Sequence, residues 1–290
     1  MFTGAFSALI TPFRDGAVDE RALRDLVEWQ IQSGIDGLVP CGSTGESATL
    51  SHAEHEQVIR LVIEQARRRV PVIAGTGSNS TAEAVRLTTF AREAGADAAL
   101  LISPYYNKPT QDGIFRHYQT IAAAVDLPLF VYNIPGRTGS NILPETFARM
   151  CEIKQVVGIK EASGSMDQCS DILGLCGERL TLMSGDDSLT LPLMAMGARG
   201  VISVITNVMP REMHDLTAAA LAGDFARARA LHFRMLPLMR ALFVETNPIP
   251  VKQALAFMGR SSNEMRLPLI AMTAAGAEKL RGVMSQLRLV

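Results

Sequence analysis

Lys160 closes the apolar run Val156-Val157-Gly158-Ile159, and Tyr132 closes another, Pro128-Leu129-Phe130-Val131. If both runs are buried parallel strands, each presents a reactive side chain at its C-terminal end, the face on which parallel barrels carry their chemistry. An amine held there loses hydration, its neutral form is favoured, and it becomes a nucleophile toward a ketone. A neighbouring phenol can move the protons. The pair suggests Schiff-base catalysis. The alternative is a lysine that snorkels to solvent beside a tyrosine that only packs.

Three loops carry further chemistry. Cys41-Gly42-Ser43-Thr44-Gly45-Glu46-Ser47 sets two hydroxyls between two glycines, so backbone amides and hydroxyls can converge on a small carboxylate. No Gly-Lys-Ser/Thr follows, which excludes a phosphate loop, and an ordinary Gly/Ser turn remains the plain alternative. Pro104-Tyr105-Tyr106-Asn107-Lys108-Pro109 places adjacent aromatics in a proline-bounded loop, where they can cover a barrel rim or an interface. Asn133-Ile134-Pro135-Gly136-Arg137-Thr138-Gly139 holds a guanidinium that can clamp a carboxylate through two hydrogen bonds, or simply stand in solvent. His52 and His55 have no carboxylate or cysteine partner set with ligand spacing, so no metal is expected, and no cofactor motif is present.

The elements that must position these residues follow from periodicity. Short β-prone runs near 6–10, 37–40, 71–74, 98–102, 129–132, 156–160, 181–184 and 200–203 alternate with amphipathic stretches, the count expected of a (β/α)8 TIM barrel. Asp19 is the expected N-cap of the first helix, with Leu23, Leu26, Val27 and Ile31 as its apolar stripe and Gly34 as its stop. Ser51 and Glu54 form an expected capping box for the second, whose buried face is Val58, Leu61 and Val62. Beyond about residue 206 the β signal stops. Helical patterns near 210–222, 224–243 and 247–288, the last broken around Gly259 and Pro268, follow. Residues 1–223 are thus expected to form the α/β barrel and 224–290 a C-terminal helical extension.

Composition agrees with a single sizeable core: 290 residues, 48 % hydrophobic and 20 % charged, with mean hydropathy +0.16. A net charge of −1 provides no basic field for nucleic acid. The apolar stretches are too short to span a bilayer. Cys41, Cys151, Cys169 and Cys176 lack paired CxxC spacing and no signal peptide is seen, so reduced thiols and a cytoplasmic location are expected.

Taken together, Gly42-Ser43-Thr44-Gly45-Glu46, Tyr105-Tyr106-Asn107-Lys108-Pro109, Tyr132 through Thr138 and Gly158-Ile159-Lys160-Glu161-Ala162-Ser163 resemble the signatures of the pyruvate-dependent class I aldolases related to N-acetylneuraminate lyase. Within that superfamily the chain resembles the dihydrodipicolinate synthase family, from Gly4 through Ser203 and again at Asn247-Pro248-Ile249-Pro250-Val251-Lys252. The resemblance implies condensation of pyruvate with L-aspartate 4-semialdehyde on Lys160, the first committed step of lysine biosynthesis through diaminopimelate. It implies a proton relay of Tyr132, Ser43 and Tyr106, with Tyr106 supplied by a neighbouring subunit, and a homo-oligomer, commonly a tetramer built from two tight dimers. Thr44 and adjacent amides would hold the pyruvate carboxylate, Arg137 the semialdehyde carboxylate, and Gly185 and Ile202 would line the site. Ser47, Ala48, His52, His55, Gly77, Asn79, Glu83 and Tyr105 match the family's lysine feedback site, which makes lysine an expected inhibitor. Ser43 departs from the family's more frequent threonine, keeping the hydroxyl but losing the methyl that restricts χ1. The sibling lyases and keto-deoxy sugar acid aldolases share the lysine and tyrosine; Arg137-Thr138 resembles the branch whose aldehyde carries a carboxylate. A silent barrel that only binds a small acid is the reading from another class.

Overall fold

The computed structural model describes residues 2–290. Its strands are β1 (Gly4–Ala8), β2 (Phe13–Arg14), β3 (Ala17–Val18), β4 (Gly37–Val39), β5 (Ile73–Gly75), β6 (Ala98–Ile102), β7 (Leu129–Asn133), β8 (Val156–Glu161), β9 (Thr181–Ser184) and β10 (Gly200–Ser203). Eight of them lie side by side in the order β4-β1-β10-β9-β8-β7-β6-β5, all parallel, and a parallel bridge between Leu38 and Val72 closes the sheet into a barrel. The helices are α1 (Glu20–Gln32), α2 (His52–Ala66), α3 (Thr81–Ala94), α4 (Gln111–Ala124), α5 (Pro135–Thr138), α6 (Pro144–Met150), α7 (Met166–Cys176), α8 (Thr190–Ala195), α9 (Pro210–Leu221), α10 (Phe225–Ala241), α11 (Ile249–Phe257) and α12 (Ala274–Gln286). The eight expected strands and the all-helical C-terminal region are present. The last helical pattern is two helices, α11 and α12, separated by a segment in which Gly259 has φ 67°.

Strand periodicity sorts the core into two compartments. Phe6, Ile73, Leu100, Phe130, Met183 and Ile202 fill the interior together with Tyr132, while residues of opposite phase such as Ala5, Leu129 and Val131 pack outward against the helices. Interior space is tight. A Cβ on Gly158 would come within 2.3 Å of the Phe130 ring, so glycine two residues before Lys160 is what lets that ring fill the layer.

Local signals account for the helix starts. The Asp19 side chain accepts from the Ala22 amide, and Ser51 with Glu54 forms the reciprocal capping box, with Val58, Leu61 and Val62 buried behind it. Two details differ from the sequence reading. Gln30 rather than Ile31 is fully buried on α1: its Nε2 donates to the Thr206 carbonyl at 2.8 Å, while its Oε1 is buried without a hydrogen-bond partner. The first strand ends at Ala8, although Leu9 and Ile10 stay buried: the Ile10 amide donates to Oδ1 of Asn207 at 3.2 Å instead of to a neighbouring strand. The β2–β3 hairpin was not expected from hydropathy; its turn is Asp15-Gly16, both with positive φ. Among the described residues no helix is long and apolar enough to cross a membrane.

Candidate active site

Tyr132 and Lys160 are register partners on β7 and β8, so the pleat sends both side chains to the same side of the sheet. The Lys160 Nζ stands 4.2 Å from the centre of the Tyr132 ring, and the residue is 6 % exposed. Burial pushes its pKa down to about 8, against the pull of the Asp186 and Asp187 carboxylates. Burial also drives the Tyr132 phenol well above its usual range, with Arg137 and the Ser43 hydroxyl acting in the opposite direction. An amine that gives up its proton more readily than an ordinary lysine, beside a protonated phenol, is the electrostatic arrangement that favours carbonyl addition.

The end of β8 is fixed from behind. Glu161, of opposite phase to Lys160, is buried and accepts from the Asn133 side chain at 3.0 Å and from the Ser163 amide at 2.7 Å. Gly185 lies against the lysine stem: its amide donates to the Glu161 carbonyl at 2.7 Å, and a Cβ there would approach Lys160 Cε to 3.2 Å. Ile202 is fully buried among the interior residues. Sequence reasoning missed Asp186 and Asp187. Asp187 is buried, its Oδ2 accepts from the amides of Val204 and Ile205 at 3.2 and 2.9 Å, and burial raises its pKa to about 6. Their only signal was position, directly after a strand end.

The loop after β4 is a compact turn. The amides of Gly45 and Glu46 donate to the carbonyls of Gly42 and Ser43 at 3.0 and 3.2 Å, and the Thr11 hydroxyl donates to the Gly45 carbonyl at 2.7 Å. Thr44 is buried and its Oγ1 accepts from the Asn247 side chain at 3.0 Å. The Arg137 guanidinium, on α5, donates to the Asn247 carbonyl at 3.0 Å. Asn247 therefore joins the two loops, a role its place in the sequence did not announce. Glu46 and the fully buried Lys252 form an ion pair at 2.5 Å, the other link that local patterning could not reveal.

Tyr106 is not drawn into this group. It is 88 % exposed with φ 69°, its amide held by the Thr138 carbonyl at 3.3 Å. The remaining candidates gather around the starts of α2 and α3. Glu83 is bonded to the Ser78 hydroxyl and to His52 Nε2, the latter at 2.7 Å, and these contacts lower its pKa. Asn79 donates to the Tyr105 carbonyl at 3.2 Å. Ser47 is partly accessible, and Ala48 and Tyr105 are exposed. His55 is turned inward, its Nε2 2.7 Å from the Gly75 carbonyl, and burial lowers its pKa. A Cβ on Gly77 would collide with the Ile102 amide nitrogen at 2.3 Å, so that glycine is required for backbone packing.

A closed parallel barrel with a desolvated lysine against a buried phenol, and hydroxyl and guanidinium groups on adjoining loops, defines an enzyme of the Schiff-base, class I aldolase type. The Dihydrodipicolinate synthetase family model matches residues 1–287, and the chain belongs to that family. It is 57 % identical over 290 residues, 100 % of both chains, to the 4-hydroxy-tetrahydrodipicolinate synthase of Syntrophus aciditrophicus. The dihydrodipicolinate synthase of Acinetobacter baumannii, solved as a complex with pyruvate, superposes with a TM-score of 0.98 at 44 % identity, covering 100 % of each chain. That of Cyanidioschyzon merolae, with lysine bound, superposes with a TM-score of 0.97 at 39 % identity, covering 100 % of this chain and 99 % of the other. Full-length identity at this level favours the synthase over the sibling aldolases and over a silent barrel.

Proposed function

We propose that the chain is a 4-hydroxy-tetrahydrodipicolinate synthase that condenses pyruvate with L-aspartate 4-semialdehyde through an imine on Lys160. The observation that carries the residue assignment is the buried Lys160 amine, brought to about pKa 8 beside Tyr132. The neutral amine adds to the pyruvate ketone and water leaves, forming the protonated imine. Loss of a methyl proton gives the enamine, whose terminal carbon bonds to the aldehyde carbon while the aldehyde oxygen takes a proton and becomes the hydroxyl. The semialdehyde amine then attacks the imine carbon, the Lys160–carbon bond breaks, and the cyclic product departs with the lysine regenerated.

Tyr132 and Ser43 move protons to and from the ketone oxygen and the new hydroxyl, Thr44 holds the pyruvate carboxylate, and Arg137 holds the carboxylate of the second substrate. Gly185 leaves the lysine stem room to pivot, and Ile202 walls the interior side. Tyr106, exposed on its own chain, completes the relay of a neighbouring copy, which makes a homo-oligomer part of catalysis; the tetramer of two tight dimers is the proposed assembly. Lysine is proposed as an inhibitor at the group formed by Ser47, Ala48, His52, His55, Gly77, Asn79, Glu83 and Tyr105, with the ionised Glu83 meeting its ammonium.

A coupled assay that follows pyruvate and semialdehyde consumption together tests the reaction. One-to-one loss of both, abolished in Lys160→Ala, is expected. Cleavage of a sugar acid without semialdehyde consumption would replace this reading with that of a sibling aldolase.

A further inference from the structure

Thr44 and Arg137 come from loops after different strands, yet both are bonded to Asn247, just ahead of α11. Asn247 is 6 % exposed. Its Nδ2 donates to Oγ1 of Thr44 at 3.0 Å, and its backbone carbonyl accepts from Nη2 of Arg137 at 3.0 Å. The segment cannot drift, because Lys252, one turn into α11 and fully buried, is bonded to Glu46 at 2.5 Å, two residues beyond Thr44. Residues 44–46 and 247–252 are thus joined at two points.

A threonine hydroxyl has one proton to give and lone pairs with which to accept. With the Asn247 amide donating into a lone pair, the Thr44 proton must point elsewhere, and a carboxylate ligand can only accept. We infer that the Asn247 side chain is a positioning residue for the first substrate, setting Thr44 as a donor toward the pyruvate carboxylate. The inference rests on the placement of that carboxylate at Thr44 proposed above. Arg137 is held by the Asn247 main chain, so replacement of the side chain leaves the second carboxylate site its anchor.

This division of labour makes the test selective. Asn247→Asp is nearly isosteric but offers Thr44 an acceptor, which draws the hydroxyl proton away from the substrate. The pyruvate KM is expected to rise about ten- to a hundredfold, the loss of one hydrogen bond to a charged group, while the semialdehyde KM changes by less than about twofold. Asn247→Ala, which introduces no charge, should shift the same parameter in the same direction. In a Thr44→Val background, removing the Asn247 side chain should cost nothing more, since the two act through one hydroxyl. Circular dichroism and thermal unfolding establish that each variant is folded.

An unchanged pyruvate KM in folded Asn247→Asp or Asn247→Ala, equal rises in both KM values, or losses that add in the double variant would overturn the inference. A wild-type protein that forms no adduct with pyruvate would overturn the functional reading itself. An adduct on the wild type together with an unchanged pyruvate KM in the variants would overturn only the role of Asn247.

Discussion

Replacing Lys160 by methionine should abolish turnover and make the protein more stable. Methionine fills nearly the same volume without the charge. Burial lowers the amine from its ordinary 10.5 to about 8, which is worth ~3 kcal/mol against the folded state. The contact of Nζ with the Tyr132 ring at 4.2 Å returns about 1–2 kcal/mol of that, and a thioether regains part of the same contact. Desolvation wins by about 2 kcal/mol, which for a chain of this length corresponds to a rise in Tm of roughly 3 °C. The sign with pH follows from linkage. Below about pH 8 the amine is protonated in both folded and unfolded states and its full cost is present. As pH rises from there toward the unfolded value, the folded state has already lost its proton, the cost shrinks, and the advantage of methionine fades. Differential scanning fluorimetry of both proteins at pH 7 and near pH 10, roughly the unfolded-state value, measures this. A folded Lys160→Met protein that melts at or below the wild type at pH 7 would refute the claim that the amine is held against its own hydration.

Tyr132→Phe keeps the ring under the lysine but removes the hydroxyl, so kcat should fall about a hundredfold or more while pyruvate trapping on Lys160 persists, read by stopped-time assay and mass spectrometry. Lys252→Met leaves Glu46 charged and unpaired in the core and should cost about 3–5 kcal/mol by chemical denaturation; adding Glu46→Gln should recover much of it. Glu83→Gln removes the carboxylate that meets the ammonium and should raise the concentration of lysine needed for half inhibition at least about tenfold in a titration of initial rates.

Most of the barrel was legible because each unit announces itself locally. The Ser51–Glu54 capping box and the apolar runs ending at Tyr132 and Lys160 are patterns of a few residues, and the register that makes those two neighbours follows once both runs are strands. The Asp15-Gly16 hairpin was missed, because strands of two residues offer no periodicity to point to it. Gln30 was missed because the carbonyl that accepts from its Nε2 belongs to Thr206, brought close only by barrel closure. The same holds for the links around the site. Glu46 and Lys252 are 206 residues apart, as Asn247 and Thr44 are 203 apart, and no local rule relates an acid in a turn to a lysine in a helix so distant. Tyr106 shows the opposite limit: the relay role proposed for it rests on the resemblance, while its side chain is 88 % exposed on its own chain.

The most direct test of the central claim is borohydride reduction in the presence of pyruvate, followed by intact-mass measurement and peptide mapping. The expected result is a single reduced pyruvyl adduct on Lys160, formed faster as pH rises through about 8, and absent from Lys160→Ala. A folded protein that traps no pyruvate, or traps it on another lysine, would contradict the assignment of Lys160 as the nucleophile.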